Sequence, residues 1–409
     1  MATLKLKFRY SSVPEAEGTL YYQLIHMRKV RWISTGYHIY PSEWNAGSTA
    51  IIIPEEGERR LDLLYVHASV ESDMNLRLSV MHRMEASGVD FSIDDLCEAF
   101  THMEPVKTLF PFLMGQVKKK QQMNRLGTAM AYSNAYRRFR EFLDDRDLPF
   151  GALTPDLIER YEAWLTVRGM KQNTIRFYLR TLNTMLCRAV SEGITAERHL
   201  FRHVKLSYVN TAKRAISEKD LQKVWRLQLS AGSPLAFARD IFMFSFYMRG
   251  MPFVDIAYLK KSDLKSGMLT YRRKKTNQYL EIEWEPEQQA IVDRYTRLTG
   301  KSTYMFPIIC REDGTEYYQY RRMQEKINRN LKKIGEMVGL KIPFTTYVAR
   351  HTWASIARNM DFSIAIISAG MGHNSYKTTQ IYLNSIDTSR INDANRKIIH
   401  RIAGKGSRR

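Results

Sequence analysis

Apolar and polar residues alternate along the first fifty positions and then give way to a longer period. Leu4, Leu6, Phe8 and Tyr10 alternate with polar neighbours, and Leu20, Tyr22 and Leu24 repeat the pattern. Period two is that of a strand with one buried face. The run RWISTGYHIY is rich in strand formers, with Gly36 predicted as a turn, and Pro41 and the Pro54–Gly57 stretch end the segment. A charged helix is expected from Glu58 to Ala86. From about 105 to 214 the pattern is helical. Thr154 before Pro155 is a capping residue followed by a first-turn proline, and the helix it opens stops at Gly169. A second helix, Asn173 to Glu192, carries Ile175, Tyr178, Leu179, Leu182, Leu186 and Val190 at helical spacing. After the polar, basic stretch VNTAKRA (209–215), Ser217 caps a helix and Pro234 opens the apolar helix LAFARDIFMFSFYM. Strands are predicted at Met268–Arg272 and Tyr279–Glu283, joined by KKTNQ. Helices follow near 286–298, 317–338, 346–359, 363–369 and 378–384.

The expected fold is therefore mainly α with small β elements. It divides into a β-rich domain (1–104), a helical domain (105–208) and a mostly helical domain with a small antiparallel sheet (209–409).

Charge changes the picture most. The chain has 63 Lys and Arg against 42 Asp and Glu, a formal net charge of +21 and a pI near 9.7. Such an excess attracts polyanions, of which nucleic acid is the commonest large one. Residues 105–214 hold 20 Lys and Arg against 9 Asp and Glu. Arg137, Arg138, Arg140, Lys171, Arg176 and Arg180 line the helices there and are expected to touch phosphate. In the β-rich segment Lys5, Lys7, Arg9, Arg28, Lys29 and Arg31 make an accessory DNA-binding arm the functional reading. Cys97, Cys187 and Cys310 form no zinc-binding pattern, and a sparse, odd count suits a reducing compartment. No signal-peptide core and no membrane-length apolar run are found, so a cytoplasmic, nucleoid-associated protein without a membrane partner is expected.

Cutting and rejoining DNA with no loss of bond energy requires a covalent intermediate. A tyrosine hydroxyl can supply one by attacking phosphate. Arginine forks suit the charge that builds on the phosphate oxygens, a lysine can protonate the leaving 5′ oxygen, and no metal or cofactor is required. The run YVARHTWASIARNMDFSIAIISAGMGHNSYKTTQIYLN contains such a set. Arg350 and His351 stand near a helix start, His373 follows Gly372, and Tyr382 lies nine residues beyond His373.

At these residues the sequence resembles the tyrosine recombinase (phage-type integrase) family. The family pattern is an arginine in G-L-R-x-x-E, a lysine on a β-hairpin, H-x-x-R, L-G-H and a tyrosine about nine residues later. Arg350 matches the arginine of H-x-x-R, His373 the histidine of L-G-H, Tyr382 the nucleophile, and Lys275 in RRKKTNQ the hairpin lysine. The helical segment is similar to the SAM-like core-binding domain, and the β segment to the arm-binding domain of longer integrases. FYMRGMPFVD and YVARHTW are closest to recombinases of conjugative transposons and invertible DNA in anaerobic gut bacteria. The resemblance implies a site-specific recombinase acting on double-stranded DNA through a 3′-phosphotyrosyl intermediate. It further implies a homotetramer on two DNA sites, with room for a DNA-bending helper, and a C-terminal tail (Ile391, Ile398, Ile399, Ile402) that docks on a neighbouring subunit.

Two positions depart from the pattern. Pro252 stands where the first arginine belongs, and Arg249 is the expected substitute, with Asp255 supporting an active-site arginine. Tyr347 replaces the first histidine and keeps a hydroxyl donor for phosphate but no proton shuttle near neutral pH. His351 and Trp353 are expected to be structural. The competing reading is a catalytically inactive DNA-binding protein derived from an integrase.

Overall fold

The computed structural model describes residues 2–55, 57, 59–103, 107–209, 214–373, 379, 395–396 and 398–400. The chain forms two compact units, Met1–Asn210 and Thr211–Arg409.

The first unit opens with a three-stranded antiparallel sheet, β1 (Thr3–Arg9), β2 (Gly18–His26) and β3 (Lys29–Ile39), in that spatial order. The period-two pattern becomes burial directly, since Leu20, Tyr22 and Leu24 on β2 are fully buried. Gly36 is not a turn between strands as expected. It lies inside β3 with φ of 75°, where the pairing shifts so that Thr35–Tyr37 oppose Leu20 alone. A bulge, like a turn, needs a residue that tolerates positive φ. After the short pair β4 (Trp44–Asn45) and β5 (Ala50–Ile51), α1 (Arg59–Ala86) covers the sheet with Leu63, Val66 and Val70. A further helix, α2 (Ile93–Thr101), escaped the sequence reading. It is capped reciprocally by Ser92 and Asp95. The helical part comprises α3 (Leu109–Gln122), α4 (Leu126–Phe142), α5 (Pro155–Val167) and α6 (Gln172–Ser191). Its core includes Phe139, Tyr161, Leu165, Ile175, Leu179 and Leu182, joined by Ala68 of α1. The Thr154 hydroxyl accepts from the Leu157 amide, as its capping role requires.

The second unit is built round α8 (Pro234–Tyr247), preceded by α7 (Glu218–Arg226). Ile241, Phe242 and Phe244 of α8 are fully buried. Then come α9 (Phe253–Ala257), the antiparallel sheet β6 (Leu264–Lys265), β7 (Met268–Arg272) and β8 (Tyr279–Glu283), and the helices α10 (Pro286–Asp293), α11 (Thr296–Thr299), α12 (Glu316–Met337), α13 (Thr346–Asn359) and α14 (Ile364–Gly370). α12 and α13 pack on α8 through Ile327, Leu331, Val348 and Ala349. No helix among the described residues is long and apolar enough to cross a membrane. The helix expected near 378–384 lies outside the described residues apart from Thr379, which is helical.

Candidate active site

Three chain reversals in the second unit place the candidate residues. The first is the end of α8, where Arg249 and Gly250 both adopt positive φ, 55° and 74°. The amides of Gly250 and Met251 donate back to the Ser245 carbonyl, and the Ser245 hydroxyl donates to the Met251 carbonyl. A Cβ on Gly250 would lie 2.6 Å from Arg350 Cα, so only glycine lets α13 approach here. The second is the β7–β8 hairpin, closed by Arg273 and Gln278, with Lys275 exposed at its tip. The third follows α14. Gly372 (φ of 63°) donates to the Ala369 carbonyl and His373 to the Ser368 carbonyl, the paired bonds of a Schellman helix end.

Two buried guanidinium groups tie these reversals together. Arg350, on α13, donates from Nη1 to the Gly250 carbonyl (2.8 Å) and from Nη2 to the Met371 carbonyl (2.6 Å) and His373 Nε2 (2.8 Å). Arg273 donates from Nη1 to the Gly372 carbonyl at 2.7 Å, and its Nε lies 3.6 Å from the Asp255 carboxylate. Asp255, on α9, also accepts from the Lys274 amide at 2.9 Å. Burial pushes the Asp255 carboxyl above its ordinary range, opposed by the Lys274 amide and by the charges of Arg273 and Arg350. One connected set of bonds thus links α8, the hairpin, α13 and the histidine turn.

The same geometry fixes the state of His373. An arginine can only donate, so Nε2 accepts from Arg350 and Nδ1 carries the proton that it donates to the Thr379 hydroxyl at 2.9 Å. Burial, Arg350 and Arg273 lower its pKa to about 4, so the ring is neutral at pH 7.

The other expected residues fall as follows. Arg249 is half-buried and reaches the Glu281 carbonyl over a long 3.4 Å, and its Cδ lies 3.7 Å from where a Gly370 Cβ would stand. It therefore borders the histidine turn with most of its donors uncommitted. Pro252 caps α9. Tyr347 is 47% exposed on the first turn of α13, its ring edge-on to buried His351. Trp353 is partly buried and packs against Gly370. Tyr382 lies outside the described residues. Sequence reasoning missed the roles of Arg273 and Thr379. Strand alternation offered a signal for Arg273, because Leu269, Tyr271 and Arg273 share one face and all three are buried. No pattern singled out Thr379.

Comparison with known proteins gives the family. Residues 108–205 match the phage integrase SAM-like domain and residues 214–388 match the phage integrase family, a span that includes Tyr382. The chain is similar to tyrosine recombinase XerA of Pyrococcus furiosus, 24% identical in an alignment of length 270 that covers 56% of this chain and 90% of the relative. It is also similar to tyrosine recombinase XerD of Pseudomonas aeruginosa, 22% identical over 65% of this chain and 89% of the relative. Among solved structures, a lambda integrase tetramer bound to a Holliday junction shares the fold with a TM-score of 0.53 at 14% identity, over 90% of this chain and 94% of that one. The two domain models follow one another in order over about two thirds of the residues, and the chain belongs to the phage integrase family.

Proposed function

We propose that this chain is a site-specific DNA recombinase that breaks and rejoins strands through a covalent 3′-phosphotyrosyl intermediate. The observation that carries the reading is the buried Arg350 guanidinium, bonded at once to the α8 end and to His373, inside a domain that matches the family through Tyr382.

In this reading the Tyr382 hydroxyl gives its proton to solvent as its oxygen attacks the scissile phosphorus. The bond to the 5′ oxygen breaks, and that oxygen takes a proton from Lys275. A 5′ hydroxyl from a partner strand then reverses the step. Arg350 meets the developing charge on the phosphate. Arg249 supplies the second guanidinium that Pro252 cannot. Its single long hydrogen bond among the described residues and its place beside the histidine turn support this. Tyr347, open to solvent, adds a hydroxyl donor. His373, neutral and weakly basic, holds Arg350 in orientation.

The substrate is double-stranded DNA, and the relatives support a tetramer on two sites. One is a lambda integrase tetramer on a Holliday junction, another a XerH recombinase bound to its difH substrate. The finer readings are an arm domain (1–104), a core-binding domain (105–208), a catalytic domain (209–409), descent from the conjugative-transposon and DNA-inversion branch, and room for a DNA-bending helper. The test is recombination in EDTA of a plasmid carrying two copies of a site that the full chain selects from random duplex DNA. Rearranged plasmid is expected from the wild type and none from Tyr382→Phe; rearrangement by both would refute the mechanism.

A further inference from the structure

The helical part of the first unit carries cations that folding alone does not explain. Several of the expected phosphate ligands there are committed within the chain. Arg138 pairs with Glu141, Arg140 with Asp145, and Arg176 with Glu162. A different corner is only partly neutralised, by Glu192. α3 ends in Lys118–Lys119–Lys120, and the turn into α4 folds the Arg125 amide back onto the Lys120 carbonyl at 2.9 Å. Gln116 and Lys119 bond Glu192 at the end of α6, which brings Arg188, one helical turn earlier, to the same corner. Lys120 is only 3% exposed, yet its ammonium makes no hydrogen bond or ion pair among the described residues. Arg188 Nε and Gln116 Oε1 are buried without partners. Burial and then the charges of Arg188, Arg125 and Lys119 lower the Lys120 pKa. Lysines at a helix C-terminus offset the helix dipole. That accounts for Lys118 and Lys119, but not for a buried stem that delivers its charge against an arginine from another helix.

We propose that Lys120, Arg125 and Arg188 form a phosphate-binding corner for the backbone of duplex DNA. The like charges gathered there repel one another in the free protein, and a phosphodiester relieves them. This rests on the reading of the chain as a DNA-acting enzyme and adds where the helical domain grips its substrate. Backbone contacts carry no sequence information, so the corner can be tested without the recombination site.

The experiment measures binding of a short duplex of arbitrary sequence by fluorescence anisotropy, over salt from about 50 to about 200 mM. The full chain is compared with Lys120→Met/Arg125→Gln/Arg188→Gln. Methionine keeps the buried stem and removes the charge. The expected result is binding weaker by about tenfold or more, and a log K against log salt slope shallower by about two to three. Arg146→Gln, in the same unit, paired with Asp62 and Asp144 and outside the proposed contacts, should leave the slope unchanged. Lys120→Met alone should melt at or above the wild-type temperature in low salt, because it removes repulsion. A folded triple variant with wild-type affinity and slope would overturn the corner, as would a Lys120→Met protein that melts well below wild type. Failure of the wild type to bind any duplex would instead sink the reading of the whole chain as a DNA enzyme.

Discussion

Lys274 and Lys275 are neighbours in sequence, both exposed but differently held. The Lys274 ammonium lies over the Tyr258 ring at 4.1 Å and its amide is held by Asp255, whereas the Lys275 side chain has no such contact among the described residues. A general acid must reach a leaving oxygen on bound DNA, so the side chain without such a contact is the better candidate. Lys275→Ala should slow cleavage by about 10²–10⁴-fold. Replacing the bridging 5′ oxygen by sulfur should restore most of that rate, because a thiolate leaves without a proton. Rescue confined to Lys274→Ala would assign the acid to that neighbour. His373 gives a prediction in pH. Its folded pKa of about 4 lies below the ordinary value of 6.5, so between the two the unfolded chain binds a proton that the native site refuses. The stability this group contributes is full above about pH 6.5, and it is lost as pH falls toward about 4. His373→Gln, which keeps an acceptor for Arg350, should flatten urea-unfolding stability across that window. A pH dependence identical to wild type would place its origin elsewhere. Arg350 and His373 were legible as a spaced pair, but the atom each one bonds was not.

Between elements, the notable feature is that the lysine hairpin and the histidine turn are tied by one arginine. Arg273 leaves the end of β7, meets Asp255 of α9 and holds the carbonyl of Gly372 beyond α14. A Cβ on Gly372 would stand 2.9 Å from Leu280 and 3.2 Å from the Arg273 side chain, so the turn and hairpin pack closely as well as bond. Arg273→Met would leave Asp255 buried and unpaired. It should cost about 3 kcal/mol or more in chemical unfolding and reduce cleavage as the hairpin loosens. Arg273→Lys should not restore either, lacking the fork that spans both partners. A methionine variant of wild-type stability would show that the tether does not hold the two elements. The strands at Met268–Arg272 and Tyr279–Glu283 and the helix at Thr346–Asn359 were readable to the residue, because alternation, turn chemistry and helical period agreed there. The Gly36 bulge and α2 were not. A bulge shares its glycine signal with a turn, and α2 is too short for its period to stand out. Arg273 was hidden for a different reason. In a run of four basic residues the alternation of β7 singles out Arg273 only when it is carried one position past the end of the strand.

Across the whole molecule the excess of +21 is distributed unevenly in function. Some of it is consumed in ion pairs, some holds the candidate site together, and the remainder is exposed on both units, as Lys5 and Arg9 are on β1 and Arg321, Arg322, Lys332 and Lys333 on α12. Along β1, Lys5 and Arg9 are exposed, and Trp32 on β3 is 56% exposed. A basic surface with an open aromatic ring suits the accessory DNA contact expected of the β-rich segment. Composition made a polyanionic partner legible from the start, and the order of motifs made the chemistry legible. Which cations meet phosphate depends on partners brought from distant elements, as Glu162 is to Arg176 and Glu141 to Arg168, and no local pattern records those. The central claim is that Tyr382 takes DNA into covalent linkage. Nicked suicide substrates bearing a site that the full chain selects from random duplex DNA would be incubated with the chain in EDTA, resolved in SDS, and any adduct digested to locate the modified residue. The account predicts an SDS-resistant adduct attached at Tyr382 and absent from Tyr382→Phe. Tight binding with no adduct, or an adduct that persists in the phenylalanine variant, would contradict it.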